Sequence, residues 1–532
     1  MAHSPLLNKF LAIGRLVAQT PDPELDLEAA LRQDCSRRQF IKQAAALGVG
    51  AGLAGLPAMA DAMTYKSARI AIVGAGLAGL RAAYELKKAG INATIYEANP
   101  SRIGGRCFSN TTSFGQNVTE NGGELIDTSQ TNIQKLAAEL GLILDDCGSW
   151  QDALGLEELY HVNGHLYTAA QAFNDFKLMA NQLNQDRAHA PFPQTWNNCT
   201  VRGLELDRMT VAQYIAAYAP GGAESDFGKV LNIAYTIEYG AETSEQSAYN
   251  LVSLLGYSNT TTHGSNSFYL FGTSDERFHI RGGNDQLVTR MAATLAPGQI
   301  ELGCELKRLV LNSDNTYSLA FKSAAGNRTV VADHVVMAIP FSILRSSVDF
   351  SGARFDGRKV TAINTMPIGN NCKFQLQFNR RIWHDYKLSG ETYSDLGYQD
   401  TWEATRAQPT TTACINNFTG GATALAYSEV SDLNAQAKFF LAQWERLVPG
   451  CTAQWNGKVV LNNWPKNPWT RGAYGYYAPG NYSSFVGYEG TRQFNCHFCG
   501  EHTSLVAQGY LEGAVETGQR CAKEIMDDLK KA

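Results

Sequence analysis

Residues 68–106 place a buried β run, a glycine turn, a helix and an acid in strict succession, and that order leaves few folds open. Ile70, Ile72 and Val73 form a short apolar strand, and Gly74, Gly76 and Gly79 supply G-x-G-x-x-G. Leu77 to Ala89 reads as a helix, and Ala93 to Tyr96 as a second strand ending at Glu97. Gly74 permits the tight turn, Gly76 removes a Cβ that would block phosphates, and Gly79 lets helix and strand pack closely. A pyrophosphate placed there meets the helix N-terminus, where free N–H groups and the dipole favour an anion. Glu97 can accept hydrogen bonds from a ribose diol. The segment therefore specifies a bound dinucleotide.

Arg102 and Gly104-Gly105-Arg106 follow directly, the glycines letting backbone and guanidinium approach a second phosphate. This R-x-G-G-R resembles the FAD-binding flavin amine oxidases rather than nicotinamide dehydrogenases. At the other end, Cys499-Gly500-Glu501-His502-Thr503 and Gly509-Tyr510-Leu511-Glu512-Gly513-Ala514 are similar to the C-terminal flavin segment of that family. There Glu501 would hold the ribityl or phosphate region, and Gly513-Ala514 would open a helix facing the isoalloxazine. The resemblance runs from about Ser67 to Ile525. It implies an α/β fold in which a Rossmann-like FAD-binding domain (66–150, 276–345 and 465–530) is interleaved with a mixed α+β substrate domain (151–275 and 346–464), as in monoamine oxidases.

Locally, Val330 to Ile339 reads as one buried strand run ending at Pro340. Phe374, Leu376 and Phe378 alternate with polar residues, as in a half-buried antiparallel strand. Residues 170–185 and 205–218 look helical.

The first 66 residues differ in kind. Ser36-Arg37-Arg38-Gln39-Phe40-Ile41-Lys42 precedes an apolar run from Ala44 to Met59, and Ala58-Met59-Ala60 offers a cleavage site. This reads as a twin-arginine signal spanning 1–62 and engaging the twin-arginine translocase, with the mature protein periplasmic or secreted. With 532 residues, 44% of them apolar, and a net charge of −5, the chain has material for two domains and no basic block of the kind that binds nucleic acid. Eleven cysteines, an odd number, do not form a small-protein disulfide framework. Cys496-His497-Phe498-Cys499 invites a zinc reading, but no second ligand pair stands at zinc spacing, so no metal is expected. A homodimer is compatible with the sequence.

Flavin amine oxidation leaves the hard step to the cofactor, so the chain need only orient the amine, keep it unprotonated and admit dioxygen. Lys373, in Met366 to Phe374, is similar to the family's lysine that holds a water near the flavin; on an alternating strand it shares a face with Gln375 and Gln377. Tyr474 and Tyr510 occupy the positions from which monoamine oxidases build an aromatic cage. Ala473 stands where the mitochondrial enzymes carry their flavin-linking cysteine, so FAD should be noncovalent. Leu125 stands where venom-type L-amino acid oxidases carry a carboxylate-clamping arginine; Arg277 is the substitute considered. Tyr235, Glu238, Tyr239, Trp402 and Phe418 are further pocket candidates. These features point to oxidative deamination of a primary amine or an L-amino acid with release of hydrogen peroxide and ammonia. The rivals are a desaturase or protoporphyrinogen-type oxidase and a flavin-bearing structural protein without catalysis.

Overall fold

The computed structural model describes residues 65–257, 268–271 and 274–530. The twin-arginine segment lies outside them. A parallel sheet of five strands forms the first layer, in the order Ile300–Glu301, Thr94–Tyr96, Ile70–Val73, His334–Met337, Cys496–Phe498. Ile70–Val73 and His334–Met337 are buried at every position, as parallel strands covered on both faces must be. The helix Leu77–Lys88 packs along the long terminal helix Leu511–Leu529. Gly518 makes that approach possible, since a Cβ there would stand 2.4 Å from the Ala78 carbonyl oxygen.

The run from Val330 to Ile339 is two strands in two sheets. Gly326–Ala332 is largely exposed and closes a four-stranded sheet through Tyr317–Ser323, Glu305–Leu311 and Asp349–Gly352. His334–Met337 then enters the parallel sheet. Asp333 marks the break, its carboxylate held by the Arg69 backbone N–H at 2.7 Å and by the Arg69 guanidinium at 2.6 Å. Apolar periodicity could not reveal that junction, because both strands carry valines.

The third layer is a seven-stranded, mainly antiparallel sheet ordered Trp455–Asn463, Asn371–Phe378, Ala413–Gly420, Asp400–Glu403, Leu388–Ser394, Glu157–Val162, His165–Tyr167. Asn371–Phe378 is buried on both faces rather than half-buried. Phe374 and Phe378 face the aromatic core of Tyr427, Trp383 and Trp444. On the opposite face Gln375 donates to the Glu120 carbonyl at 3.1 Å and Gln377 to that of Phe114 at 2.7 Å. The polar face is thus not solvated; it is bonded to the segment that follows the R-x-G-G-R turn.

The helix expected at 170–185 runs Ala169–His189. That at 205–218 is two helices, Val201–Arg208 and Val211–Tyr218, separated where Thr210 caps the second in a capping box with Gln213. Among the described residues no helix is long and apolar enough to cross a membrane.

Candidate active site

A cavity runs from the glycine turn to the polar face of the seven-stranded sheet. At its first end Gly74 sits at φ +103°, and Gly76 leads into the helix Leu77–Lys88. A Cβ on Gly79 would lie 2.1 Å from the Gly74 carbonyl oxygen, so this glycine works through packing and not by lining the cavity. Glu97 is buried and accepts from the Ala75 N–H at 2.7 Å and the Asn99 N–H at 2.8 Å. Burial raises its carboxyl above the usual range. The Gly104 N–H donates to the Ala75 carbonyl at 2.8 Å, which docks the second glycine turn on the first. Arg102 lies 4.0 Å over the Phe108 ring.

In the middle of the cavity Arg106 donates to the Ala473 carbonyl at 2.7 Å and to the Glu501 carboxylate at 2.6 Å. Glu501 also accepts from the N–H groups of Gly509 at 2.9 Å and Gly475 at 3.3 Å. Burial opposes its ionisation, but the Arg106 guanidinium, together with His502 and the Gly509 N–H, outweighs burial and holds the carboxyl below its usual range. Glu501 therefore ties three distant segments together besides facing the cavity. Gly500, at φ +131°, and Ala514 line the same wall, whereas a Cβ on Gly513 would meet the Ala507 carbonyl oxygen at 2.2 Å.

At the far end Lys373 donates to the Glu124 carboxylate at 2.6 Å and to the Gly122 carbonyl at 2.8 Å. Glu124 also accepts from the Trp402 indole at 2.9 Å and the Asn416 amide at 3.0 Å. Burial pushes its carboxyl up, and Lys373 and Trp402 more than reverse that. Both side chains line the cavity, so the lysine enters it as half of a buried ion pair. Tyr474 donates to the Ile237 carbonyl at 3.1 Å and Tyr510 to the Glu238 carboxylate at 3.4 Å. Both hydroxyls thus reach consecutive residues at the end of one helix, Asp226–Tyr239. Burial pushes both phenols well above their usual range.

Glu238 and Glu276 join this end of the cavity. Burial, with the Glu276 carboxylate beside it, pushes Glu238 up to about 8; burial likewise raises Glu276 to about 8. Tyr239, Trp402 and Phe418 also line the cavity, the last two meeting edge to face at 5.2 Å. Tyr235 does not: it is buried behind, its hydroxyl donating to the Leu270 carbonyl at 3.1 Å. Arg277 is outside the cavity and bound to Asp146 at 2.7 Å, so it supplies no carboxylate clamp there.

The described residues fit an extended dinucleotide. A Cβ on Gly76 would meet nothing within 4 Å although the residue lines the cavity, so the space left by its missing side chain is open for a ligand. Residues 77–526 match the family of flavin-containing amine oxidoreductases. The chain belongs to that family. A probable flavin-containing monoamine oxidase A of Dictyostelium discoideum is 24% identical over 84% of this chain and 95% of its own length. The L-amino-acid oxidase of Mus musculus is 25% identical over 87% and 71%. Cyclohexylamine oxidase from Brevibacterium oxydans IH-35A shares the fold with a TM-score of 0.73 at 21% identity, covering 87% of this chain and 99% of that one. Putrescine oxidase bound to putrescine aligns over the same shares, with a TM-score of 0.69 at 22% identity.

As a flavin-containing amine oxidoreductase the chain takes a flavin cofactor, and several residues that shape its site were not anticipated from sequence. Cys304, Glu305 and Leu306 line the cavity near Glu97 from the start of the strand Glu305–Leu311, which carries no motif. Glu120 is fully buried and accepts from Ser109 at 2.8 Å, His279 at 2.9 Å and the Asn284 N–H at 2.8 Å. Its carboxylate joins Ser109 to His279 and Asn284, a junction of residues distant in the chain that no local pattern announces. The Glu124 partner of Lys373 had a signal, an acid two residues beyond the buried Gly122.

Proposed function

We propose that this flavoenzyme is an FAD-dependent oxidase of primary amines, which yields an imine that hydrolyses to a carbonyl compound and ammonia. When bound, FAD accepts the hydride equivalent and passes the electrons to dioxygen, giving hydrogen peroxide. Glu97 and the Gly74–Gly79 turn would hold its adenosine and pyrophosphate, Arg102 and Arg106 its phosphates, and the Gly500-Glu501 segment its flavin half. FAD is held without a covalent bond in this reading, since Ala473 has no thiol and its carbonyl is engaged by Arg106.

Tyr474 and Tyr510 present π faces to an amine and align it, an interaction worth about 0.5–2 kcal/mol. Lys373, fixed by Glu124 on the polar strand face, is placed to hold a water and to act as a cation during oxygen reduction. The observation that carries the choice of an amine over an amino acid is that no arginine lines the substrate end among the described residues. Among the described residues lining the cavity the arginines are Arg102 and Arg106, both on the cofactor half, while the substrate half presents Glu238 and Glu276. Protonated up to about pH 8, those carboxyls can hydrogen-bond an amine, and they offer a substrate carboxylate no cationic partner. Leu125, where a clamp is expected, lines the cavity as a hydrocarbon. The amine oxidases with the same fold support the same reading.

A peroxide assay with aliphatic, aromatic and α,ω-diamines beside the parent L-amino acids tests it. Turnover of amines with no response to amino acids is expected; the reverse preference overturns the proposal. Export by the twin-arginine route is part of the same reading and rests on Arg37 and Arg38 with the apolar run behind them.

A further inference from the structure

The zinc-like Cys496-His497-Phe498-Cys499 lacks a second ligand pair in the sequence. The fold supplies partners for the histidine instead. The two thiols are buried, whereas His497, on the edge strand of the parallel sheet, meets His334 from the neighbouring strand, with His334 Nδ1 at 3.3 Å from His497 Nε2. Asp528, near the end of the terminal helix, completes a group whose ligand atoms all lie within 4.8 Å of one another.

Three features favour a metal over a simple pair of imidazoles. His497 Nδ1 lies 2.7 Å from the Glu524 carboxylate, so that nitrogen donates and Nε2 turns its lone pair toward His334. Glu524 is itself held by Arg520 at 2.9 Å. A carboxylate on the far nitrogen is how proteins fix the tautomer and orientation of a metal-binding histidine. The separation of 3.3 Å is long for a nitrogen-donated hydrogen bond, which prefers about 2.9–3.0 Å. Two nitrogens each about 2.05 Å from one tetrahedral zinc stand about 3.3 Å apart.

We propose that His334, His497 and Asp528 bind a divalent transition metal of the zinc class, with water as the remaining ligand. The site is separate from the catalytic cavity and braces the terminal helix against the sheet edge. Arg492 competes for it, holding the Asp528 carboxylate at 2.5 Å.

The test uses the full-length, flavin-loaded protein, stripped with a chelator and titrated with zinc chloride by calorimetry and thermal melting. One zinc per chain and a raised melting temperature are expected. Because Asp528 is exposed, D528N keeps the fold, as its flavin absorbance will show, and should bind zinc at least about tenfold more weakly; E524Q should lose about 10–100-fold. R492M should bind more tightly than wild type. Failure of zinc to raise the melting temperature, or equal affinity in D528N and wild type, overturns the proposal and leaves a hydrogen-bonded imidazole pair.

Discussion

Lys373 illustrates how a side chain can be legible in its position and not in its chemistry. The alternation Lys373, Gln375, Gln377 indicates one polar strand face, but the sequence says nothing of the Glu120–Glu124 segment that covers it, because that contact spans about 250 residues of chain. The outcome is a buried ion pair, and removing one half leaves the other uncompensated. Lys373→Met should therefore cost about 3–5 kcal/mol of stability, and Lys373→Met with Glu124→Gln should recover much of it. Chemical denaturation measures both. If Lys373 also serves oxygen reduction, stopped-flow reoxidation of the reduced flavin stays slow in the double variant although stability returns; a wild-type rate there would assign the lysine to the scaffold alone. Glu238 and Glu276 make a second prediction. Folded, they keep protons up to about pH 8, whereas an unfolded glutamate releases its proton near about 4.3. The fold thus binds more protons in that window, so their contribution is complete below about pH 4.3 and is lost as pH rises through about 8. Glu238→Gln should flatten the fall of melting temperature between those pH values. An unchanged slope would remove Glu238 from the titrating groups.

At the scale of elements, the glycine turn shows why one part of the fold was readable and another was not. The turn and helix that Gly74, Gly76 and Gly79 shape are contiguous in the chain, so spacing carried the information, although Gly74 and Gly79 also let Ala338 approach, and the helix Leu77–Lys88 ends one residue short of the expected boundary. The break at Asp333 and the two-helix structure of 201–218 depend on a salt bridge and on a cap, which hydrophobic period does not register. The same local logic separates the roles of the glycines. Gly79→Ala would drive a Cβ into the Gly74 carbonyl and disturb the turn itself. Gly76→Ala meets nothing within 4 Å in the protein and sits at φ −71°, so the ligand-free fold should melt within about a degree of wild type. Its methyl group should nonetheless occupy the phosphate cradle and lower FAD affinity at least about tenfold, a loss of about 1.4 kcal/mol. Flavin titration beside a melt of the stripped protein checks both halves. Unaltered flavin affinity in Gly76→Ala would place the pyrophosphate elsewhere.

Across the whole molecule, the cavity draws its walls from residues between Val73 and Ala514, so the flavin site exists only once almost the entire described chain has folded. Arg106 and Glu501 make the point most directly, an ion pair of 2.6 Å that closes across nearly four hundred residues. A chain exported unfolded would have to assemble this site, and find FAD, outside the cytoplasm. A twin-arginine route, which carries folded proteins, removes the difficulty by letting the cofactor bind in the cytoplasm. Arg37→Lys with Arg38→Lys should therefore block export without harming the enzyme. Under this proposal fractionated cells should show the variant in the cytoplasm and the wild type outside it, with equal flavin content and equal rates of amine oxidation. Denaturing either form with acid should release the FAD entirely, as expected with Ala473 in place of a linking cysteine. Continued export of the double-lysine variant would refute the twin-arginine reading, and cytoplasmic protein lacking flavin would break the link between cofactor loading and route.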